Sequence, residues 1–326
     1  MQYTLDMTKP KVFVTREIPA KGLGLVKEFC GADVWPGEMP PSREALLKRI
    51  HDVDGVLTLL TEKVDAEFMN AAPQLKVISN MAVGFDNVDV AEATRRKIPV
   101  GNTPGVLTDA TADMAFALLL AAARRLPEGQ KYIRAGLWKT WHPQLLLGAD
   151  FVGATLGIIG FGRIGQAVAK RAQGFDLRVI YHDPTADPVF GASSVDLETL
   201  LRESDFVSIH VPLNPQTRHL VNAEFLSKMK SNAILVNTSR GSVVDQSALF
   251  NALKSKRIFA AALDVTDPEP LPANDPLLEL ENCLIVPHLG SASKHTRDMM
   301  SVLAAQNLIA GLKGGRLPNC VNPEIY

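Results

Sequence analysis

The sequence predicts an α/β protein of two domains built on parallel sheets. Short apolar runs alternate with helical patterns from one end of the chain to the other, the rhythm of strands joined by crossover helices. One of those runs leads straight into a glycine-rich turn that opens a helix, Gly160-Phe161-Gly162-Arg163-Ile164-Gly165. The length, 326 residues with 46% hydrophobic and 21% charged side chains, suits two cores of ordinary composition.

In the first part of the chain, strands are expected at Lys11–Thr15, Ala32–Trp35, Gly55–Leu59 and Leu75–Asn80. Helices are expected over Gly22–Cys30, Arg43–Ile50, Ala66–Ala71 and Val90–Arg96. Gly22 and Gly24 lack a third glycine, so they read as a helix start with no phosphate role. Breakers gather at Gly101-Asn102-Thr103-Pro104-Gly105, which marks a domain boundary. A long helix, Thr108–Arg125, follows; Asp109 and Asp113 near its start and Arg124 and Arg125 at its close match the helix dipole. Six further strands are expected at Thr155–Ile159, Leu177–His182, Phe206–Val211, Ala233–Asn237, Phe259–Val265 and Cys283–Val286. The tail, Ser291–Leu312, reads as one amphipathic helix.

A formal net charge of −1 gives no field to draw the chain to nucleic acid or an anionic membrane. The three cysteines are scattered, with no spacing for a metal site or a disulfide framework. The first ten residues lack the basic and apolar regions of a signal peptide, and the most apolar stretch, Met114–Ala123, is too short for a bilayer. A cytoplasmic setting is expected, and the sequon at Asn237 is read as chance.

The glycine turn is the sharpest motif. Its first glycine permits a tight turn, the second lets backbone amides approach a pyrophosphate, and the third allows close helix–strand packing. Strand Leu177–His182 follows at βαβ distance and ends in Asp183, 18 residues after Gly165. An acidic residue there accepts hydrogen bonds from the adenosine ribose and repels a 2′-phosphate. NAD is the expected cofactor, with NADP as the alternative because Arg178 and His182 stand nearby.

Ligands of open α/β sheets sit beyond the carboxyl ends of the strands. Three late strands end in Thr238-Ser239-Arg240, in Asp264 followed by Glu269, and in Pro287-His288. An arginine can pair with a substrate carboxylate and polarise a ketone. A histidine can deliver a proton to a nascent alkoxide, and a carboxylate beside it orients the imidazole and favours its charged form. Taken singly, each is as well read as a solvated turn or a satisfied core residue; their joint placement on one rim favours hydride transfer to a 2-keto acid.

These segments, together with Ala82–Asp89, Ala262–Val265 and Pro287–Ala292, resemble the D-isomer-specific 2-hydroxyacid dehydrogenases along nearly the whole chain. Val12–Ile18 and Leu107–Asp113 are closest to the glyoxylate reductase/hydroxypyruvate reductase branch. The resemblance implies Arg240, Glu269 and His288 as catalytic residues. It also implies that the amides of Val83 and Gly84 hold the substrate carboxylate. Thr238, Ser239, Asp264 and Gly290 would line the nicotinamide half of the cofactor, with Thr111 a further cofactor contact; Val211, Pro212 and Thr217 would lie on the adenosine side, with Gly160, Gly162, Arg163, Ile164 and Gly165 at the pyrophosphate.

The resemblance further implies two Rossmann-like domains with parallel sheets, the nucleotide domain (102–290) inserted within a substrate domain (1–101 and 291–326). Several members of this branch carry arginine near the Asp183 position and use NADP, so the NAD expectation rests on that acid. In look-alikes, a tryptophan matching Trp141 reaches the neighbouring subunit's active site, implying a homodimer through Thr108–Gly148; otherwise Trp138 and Trp141, three apart, share one helix face. Rival readings within the fold are phosphite, D-lactate and 2-ketogluconate chemistry. From a different class, the family includes NAD-sensing transcriptional corepressors.

Overall fold

A computed structural model describes residues 9–186 and 191–326. The chain divides into two compact units, one of residues up to Leu107 together with Ser293–Tyr326, the other Thr108–Ala292. The divisions fall at 107/108 and 292/293, a few residues beyond the 101/102 and 290/291 expected from the breakers and the family pattern.

The first unit holds β1 (Lys11–Val14), α1 (Ala20–Phe29), β2 (Gly31–Val34), α2 (Arg43–Arg49), β3 (Gly55–Thr58), α3 (Ala66–Ala71), β4 (Val77–Asn80), α4 (Val90–Arg95), β5 (Val100–Gly101) and the C-terminal helix Lys294–Leu312. Its five strands pair in the order β2-β1-β3-β4-β5, all parallel. Strands β3 and β4 are buried along their whole length, as expected where helices cover both faces of a parallel sheet. On one face Phe13, Ile50, Val56, Phe68 and Ile78 form the core. Against the other face lies the C-terminal helix, where Ser79 Oγ donates to Ala304 O at 2.8 Å. Gly22 and Gly24 both lie inside α1, and the Gly22 amide donates to Ser301 Oγ at 3.1 Å, so Gly22 serves helix packing while Gly24 faces open space. Strand β5 lies at the start of the stretch read as a turn, and only two residues long it offers no periodicity to detect.

The second unit holds α5 (Thr108–Ala123), α6 (Leu126–Arg134), β6 (Thr155–Ile159), α7 (Arg163–Ala172), β7 (Arg178–His182), β8 (Ala192–Ser194), α8 (Leu197–Glu203), β9 (Phe206–Ile209), α9 (Ala223–Lys228), β10 (Ile234–Asn237), α10 (Gln246–Lys254), β11 (Ala260–Leu263) and β12 (Cys283–Ile285). Its seven parallel strands run β12-β11-β10-β9-β6-β7-β8. The chain order reverses next to β6, which puts β6, β7 and β9 side by side at the point where this fold class binds nucleotides. Phe161 and Tyr181 stack at 3.9 Å beneath α7 and are fully buried.

Two elements escape the sequence pattern. The edge strand β8 is short and polar, and α6 carries a proline in its first turn and Gly129 inside it. A third expectation fails outright: the stretch holding Trp138 and Trp141 is not helical, so the two side chains share no helix face. Both are exposed, Trp141 to 78%. No helix among the described residues is long and apolar enough to cross a membrane.

Candidate active site

The nucleotide end of the second unit starts at the turn after β6. Gly160 takes φ +86°, and a Cβ there would lie 2.7 Å from the His210 carbonyl, so only glycine fits. A Cβ on Gly165 would meet Gly160 O at 2.3 Å, which fixes how tightly α7 crosses the turn. Gly162 is the N-cap of α7 and offers no side-chain cap, and the space beside its α-carbon is open. The first amides of a helix have no intrahelical acceptor and sit at the positive end of its dipole. Those of Arg163, Ile164 and Gly165 therefore suit a pyrophosphate.

Asp183, just past β7, ties this turn down. Its Oδ2 accepts from the Phe161 amide at 2.7 Å and its Oδ1 from the Thr185 amide and hydroxyl at 2.8 and 2.9 Å. Burial alone would push this carboxyl up, but the hydrogen bonds outweigh it and hold it below the usual carboxylate range. An ionised aspartate with lone pairs to spare fits a ribose diol and disfavours a 2′-phosphate. Val211 and Pro212 follow β9, and Thr217 Oγ1 donates to Pro212 O at 2.6 Å, which folds that loop back on itself.

Along the same carboxyl edge, on the other flank of the sheet, three adjacent strands carry the polar residues. After β10, the buried Asn237 accepts from the Ser239 amide and hydroxyl at 3.0 and 2.8 Å and donates to Arg240 O at 2.8 Å. That side chain sets the path of Thr238-Ser239-Arg240. Thr238 Oγ1 is buried with no hydrogen-bond partner among the described residues. An orphaned hydroxyl of this kind is costly unless a ligand supplies its partner.

After β11, Asp264 is 1% exposed. Its two oxygens accept from the amides of Leu289 (2.5 Å) and Gly290 (2.8 Å), and its carbonyl accepts from the His288 amide at 2.8 Å. Burial raises its carboxyl, and the two amide bonds pull the other way. Asp264 was expected to line the nicotinamide half; the structure gives it a further task, holding the histidine loop. The task is needed because His288 adopts φ +53°, a left-handed conformation that costs a β-carbon-bearing residue about 1–3 kcal/mol unless its surroundings impose it. Gly290 packs on Asp264, with Thr111 of α5 beside it.

His288 Nδ1 lies 2.5 Å from Glu269 Oε1. With a carboxylate on Nδ1, that nitrogen carries the proton in either charge state, and Nε2 is the ring atom left to exchange one. The strand ends thus bring together Glu269 with His288 and Asp264 with Gly290 and Thr111, while Arg240 stands on the adjoining strand end, its Nη1 donating to Ser239 O at 2.8 Å.

Val83 and Gly84 belong to the first unit, on the loop after β4. Among the described residues of that unit, nothing accepts a hydrogen bond from either amide. Trp141 lies in the exposed stretch after α6. No group of three or more histidines, cysteines or carboxylates among the described residues has the arrangement of a metal site.

The positions that the sequence did not single out are Asn80, Asn237 and, as a clasp, Asp264. They share a signal: each is a polar residue closing or directly following a short, fully buried apolar strand. Such a residue stays inside only if its hydrogen bonds are met there.

A doubly wound parallel sheet with this glycine turn and a paired histidine on its rim defines a nicotinamide-dinucleotide oxidoreductase. Comparison with known proteins narrows the class. The model of the D-isomer specific 2-hydroxyacid dehydrogenase NAD binding domain matches residues 116–290, and the chain belongs to that family. It is 53% identical over 322 residues to a glyoxylate reductase of Korarchaeum cryptofilum, with 97% of each chain covered. A solved structure of the TT0316 protein from Thermus thermophilus superposes with a TM-score of 0.90 at 50% identity, covering 95% of this chain and 99% of that one. An NADPH-dependent glyoxylate/hydroxypyruvate reductase from Sinorhizobium meliloti, solved with NADP and malonate, gives 0.86 at 33% identity and covers 97% and 98%.

Proposed function

We propose that the protein reduces glyoxylate, and with it hydroxypyruvate, to the 2-hydroxy acid, taking NADH in preference to NADPH. The observation that carries the reading is the 2.5 Å pair of His288 and Glu269 on the rim of a dinucleotide-binding sheet. In this reading the second unit is the nucleotide domain and the first the substrate domain.

The residues fit the cofactor. The amides at the start of α7 and Arg163 hold the pyrophosphate, Asp183 the adenosine ribose, and Val211, Pro212 and Thr217 the adenosine side. Thr238, Ser239, Asp264 and Gly290 would line the nicotinamide half, with Thr111 a further contact, and the cofactor would offer a partner to the orphaned Thr238 hydroxyl. Bound NADH supplies the hydride that adds to C2 of the keto acid. The amides of Val83 and Gly84 hold the substrate carboxylate. Arg240 pairs with the substrate and polarises the C2 carbonyl, drawing electron density onto its oxygen. His288 then passes the proton on Nε2 to that oxygen, while Glu269 keeps the ring oriented and balances its charge.

Two further assignments belong to the same reading. Leu126, Ile133, Leu137, Trp138, Trp141, Leu147 and Val152 are all exposed along one stretch of chain, and exposed apolar side chains gathered together mark interaction surfaces. A second copy covers it, making a homodimer in which Trp141 approaches the partner's substrate. The expected setting is the cytoplasm.

The test is consumption of NADH, then of NADPH, by purified protein given glyoxylate, hydroxypyruvate, pyruvate and 2-ketogluconate, with sedimentation for the dimer. Fast turnover of the first two acids with NADH is expected. Silence on every acid, with NADH still bound tightly, would sink the reading.

A further inference from the structure

The loop that follows β4 in the first unit is held by its carbonyls. Ala82 O accepts from the Thr103 amide at 2.9 Å, Val83 O from Asn102 Nδ2 at 2.8 Å, and Gly84 O from Asn80 Nδ2 at 3.1 Å. Three consecutive carbonyls are therefore turned inward. In a planar trans peptide the carbonyl of one residue and the amide of the next point in opposite directions, and no peptide in this stretch is cis. Each tied carbonyl thus aims the next amide outward, in turn those of Val83, Gly84 and Phe85. None of these three has an acceptor among the described residues of the unit. Successive outward amides of this kind make a concave site for an anion.

The side chains that do the tying are themselves fixed. Asn80 is fully buried; its Oδ1 accepts from Thr58 Oγ1 at 3.1 Å, and its Nδ2 also donates to Asn87 Oδ1 at 3.1 Å. Asn87 in turn spends both amide hydrogens on the carbonyls of Leu59 (3.0 Å) and Glu62 (2.9 Å). Asn102 is anchored through its own carbonyl, which accepts from Asn307 Nδ2 at 2.8 Å on the C-terminal helix. Asn307 is also fully buried, and its Oδ1 accepts from the Asn319 amide at 3.0 Å. Asn80 and Asn87 each use both amide hydrogens, and a side-chain network satisfied in this way holds its members in place.

We infer that Asn80 and Asn102 are positioning residues that preset the amides of Val83, Gly84 and Phe85 as the receptor for the substrate carboxylate. The inference rests on the proposed reading that this loop binds that carboxylate. It adds a third donor, Phe85, and two side chains that never touch substrate but decide its affinity. Preset donors need no reordering when the anion arrives, so their loss appears in binding before it appears in the chemical step.

The experiment is steady-state reduction of glyoxylate with NADH, with oxalate as a dead-end carboxylate probe, on Asn102→Ala and Gly84→Pro. Asn102 is partly exposed and donates to a single loop carbonyl, so its loss leaves the sheet intact. For Asn102→Ala, KM for glyoxylate and Ki for oxalate should both rise about tenfold, the span of one charge-assisted hydrogen bond. Turnover at saturation and the Kd for NADH should stay within about twofold. Gly84→Pro, which deletes one receptor amide outright, should raise both constants at least as far. If Gly84→Pro weakens oxalate and Asn102→Ala does not, the positioning role is overturned while the carboxylate reading stands. If neither variant moves oxalate, that reading falls as well. A purely structural asparagine would lower Tm and change kcat and KM together, which also overturns the inference. Should Asn102→Ala fail to fold, Asn307→Ala frees the same asparagine from the C-terminal helix, and an unchanged Ki there counts equally against it.

Discussion

The two sheets are built alike and carry their chemistry differently. In both, parallel strands buried on two faces end in polar residues at their carboxyl edge. In the proposed reading the working groups of the second unit are side chains: a guanidinium, a carboxylate–imidazole pair and an aspartate at the glycine turn. In the first, on the same reading, they are backbone amides, and the side chains beneath them, Asn80 and Asn102, hold the loop's carbonyls. Proton transfer and charge polarisation need titratable or cationic groups, which the backbone lacks. Recognition of a small, constant carboxylate needs donors alone, and amides on a rigid loop provide them without the mobility of a long side chain.

The widest separation between the units should come from His288. His288→Asn is the informative change, because asparagine tolerates the φ of +53° that alanine would resist. Turnover should fall about 10²–10⁴-fold, the range for a general acid, while NADH still binds within about twofold by fluorescence. A fall below tenfold would move the proton donor elsewhere. Set beside the first unit's variants, which should act on KM, this variant should act on kcat.

Asp264→Asn probes where the contrast breaks down, because here a side chain of the second unit also holds backbone. An asparagine can accept from one of the two amides, Leu289 or Gly290, but turns its own N–H toward the other. The buried donor left unmet costs about 1–3 kcal/mol, and the left-handed His288 loses part of its support. A drop in Tm with turnover reduced by about tenfold or more is expected, read by calorimetry and steady-state kinetics. Unchanged turnover in a destabilised protein would make Asp264 a scaffold residue with no influence on the histidine.

What could be read in advance follows the same divide. The glycine turn, Asp183, Arg240, Glu269 and His288 stand out in the sequence because the roles proposed for them reside in residue type and spacing. The sheets were legible too, since strands buried on both faces, such as Ile234–Asn237 and Ala260–Leu263, are apolar along nearly their whole length. Asn80 and Asn102 were not singled out, because a carbonyl clamp is a matter of geometry and any turn can contain asparagine. The short polar β8 and the proline-bearing α6 were missed for another reason: tertiary packing, and no periodicity, places them. Trp138 and Trp141 lie on no helix, and both side chains are largely exposed.

Asp183→Ala should have a smaller effect on rate and a clear one on choice. Removing the ionised carboxylate takes away the repulsion toward a 2′-phosphate, so the ratio of kcat/KM for NADPH over NADH should rise about tenfold or more, the worth of one charged hydrogen bond gained or lost. The Phe161 amide also loses its acceptor, so a modest fall in Tm accompanies the change. An unaltered ratio would mean that cofactor choice is set by other residues around the ribose.

The smallest effect belongs to a carboxylate of the second unit that serves the fold alone. Asp205 accepts from the Thr155 amide at 2.9 Å and from Lys230 Nζ at 2.8 Å, tying the start of β6 to the chain entering β9. Burial alone would raise this carboxyl; the Lys230 and Thr155 bonds outweigh it and hold it below its usual value. A carboxylate with a lowered folded-state pKa binds fewer protons folded than unfolded, so its stabilisation is complete above the unfolded value, near 4, and is lost as pH falls through the folded one. Lys230 is about a third exposed, and solvent screening limits the pair to about 1 kcal/mol. Asp205→Asn should therefore lower stability at pH 7 by about that amount, with the gap from the parent closing below pH 4 in urea titrations. Turnover at neutral pH should not change, because this residue touches neither the glycine turn nor the rim that carries His288. A loss of activity without a loss of stability would show that the boundary between scaffold and site runs deeper into this sheet than its strand ends.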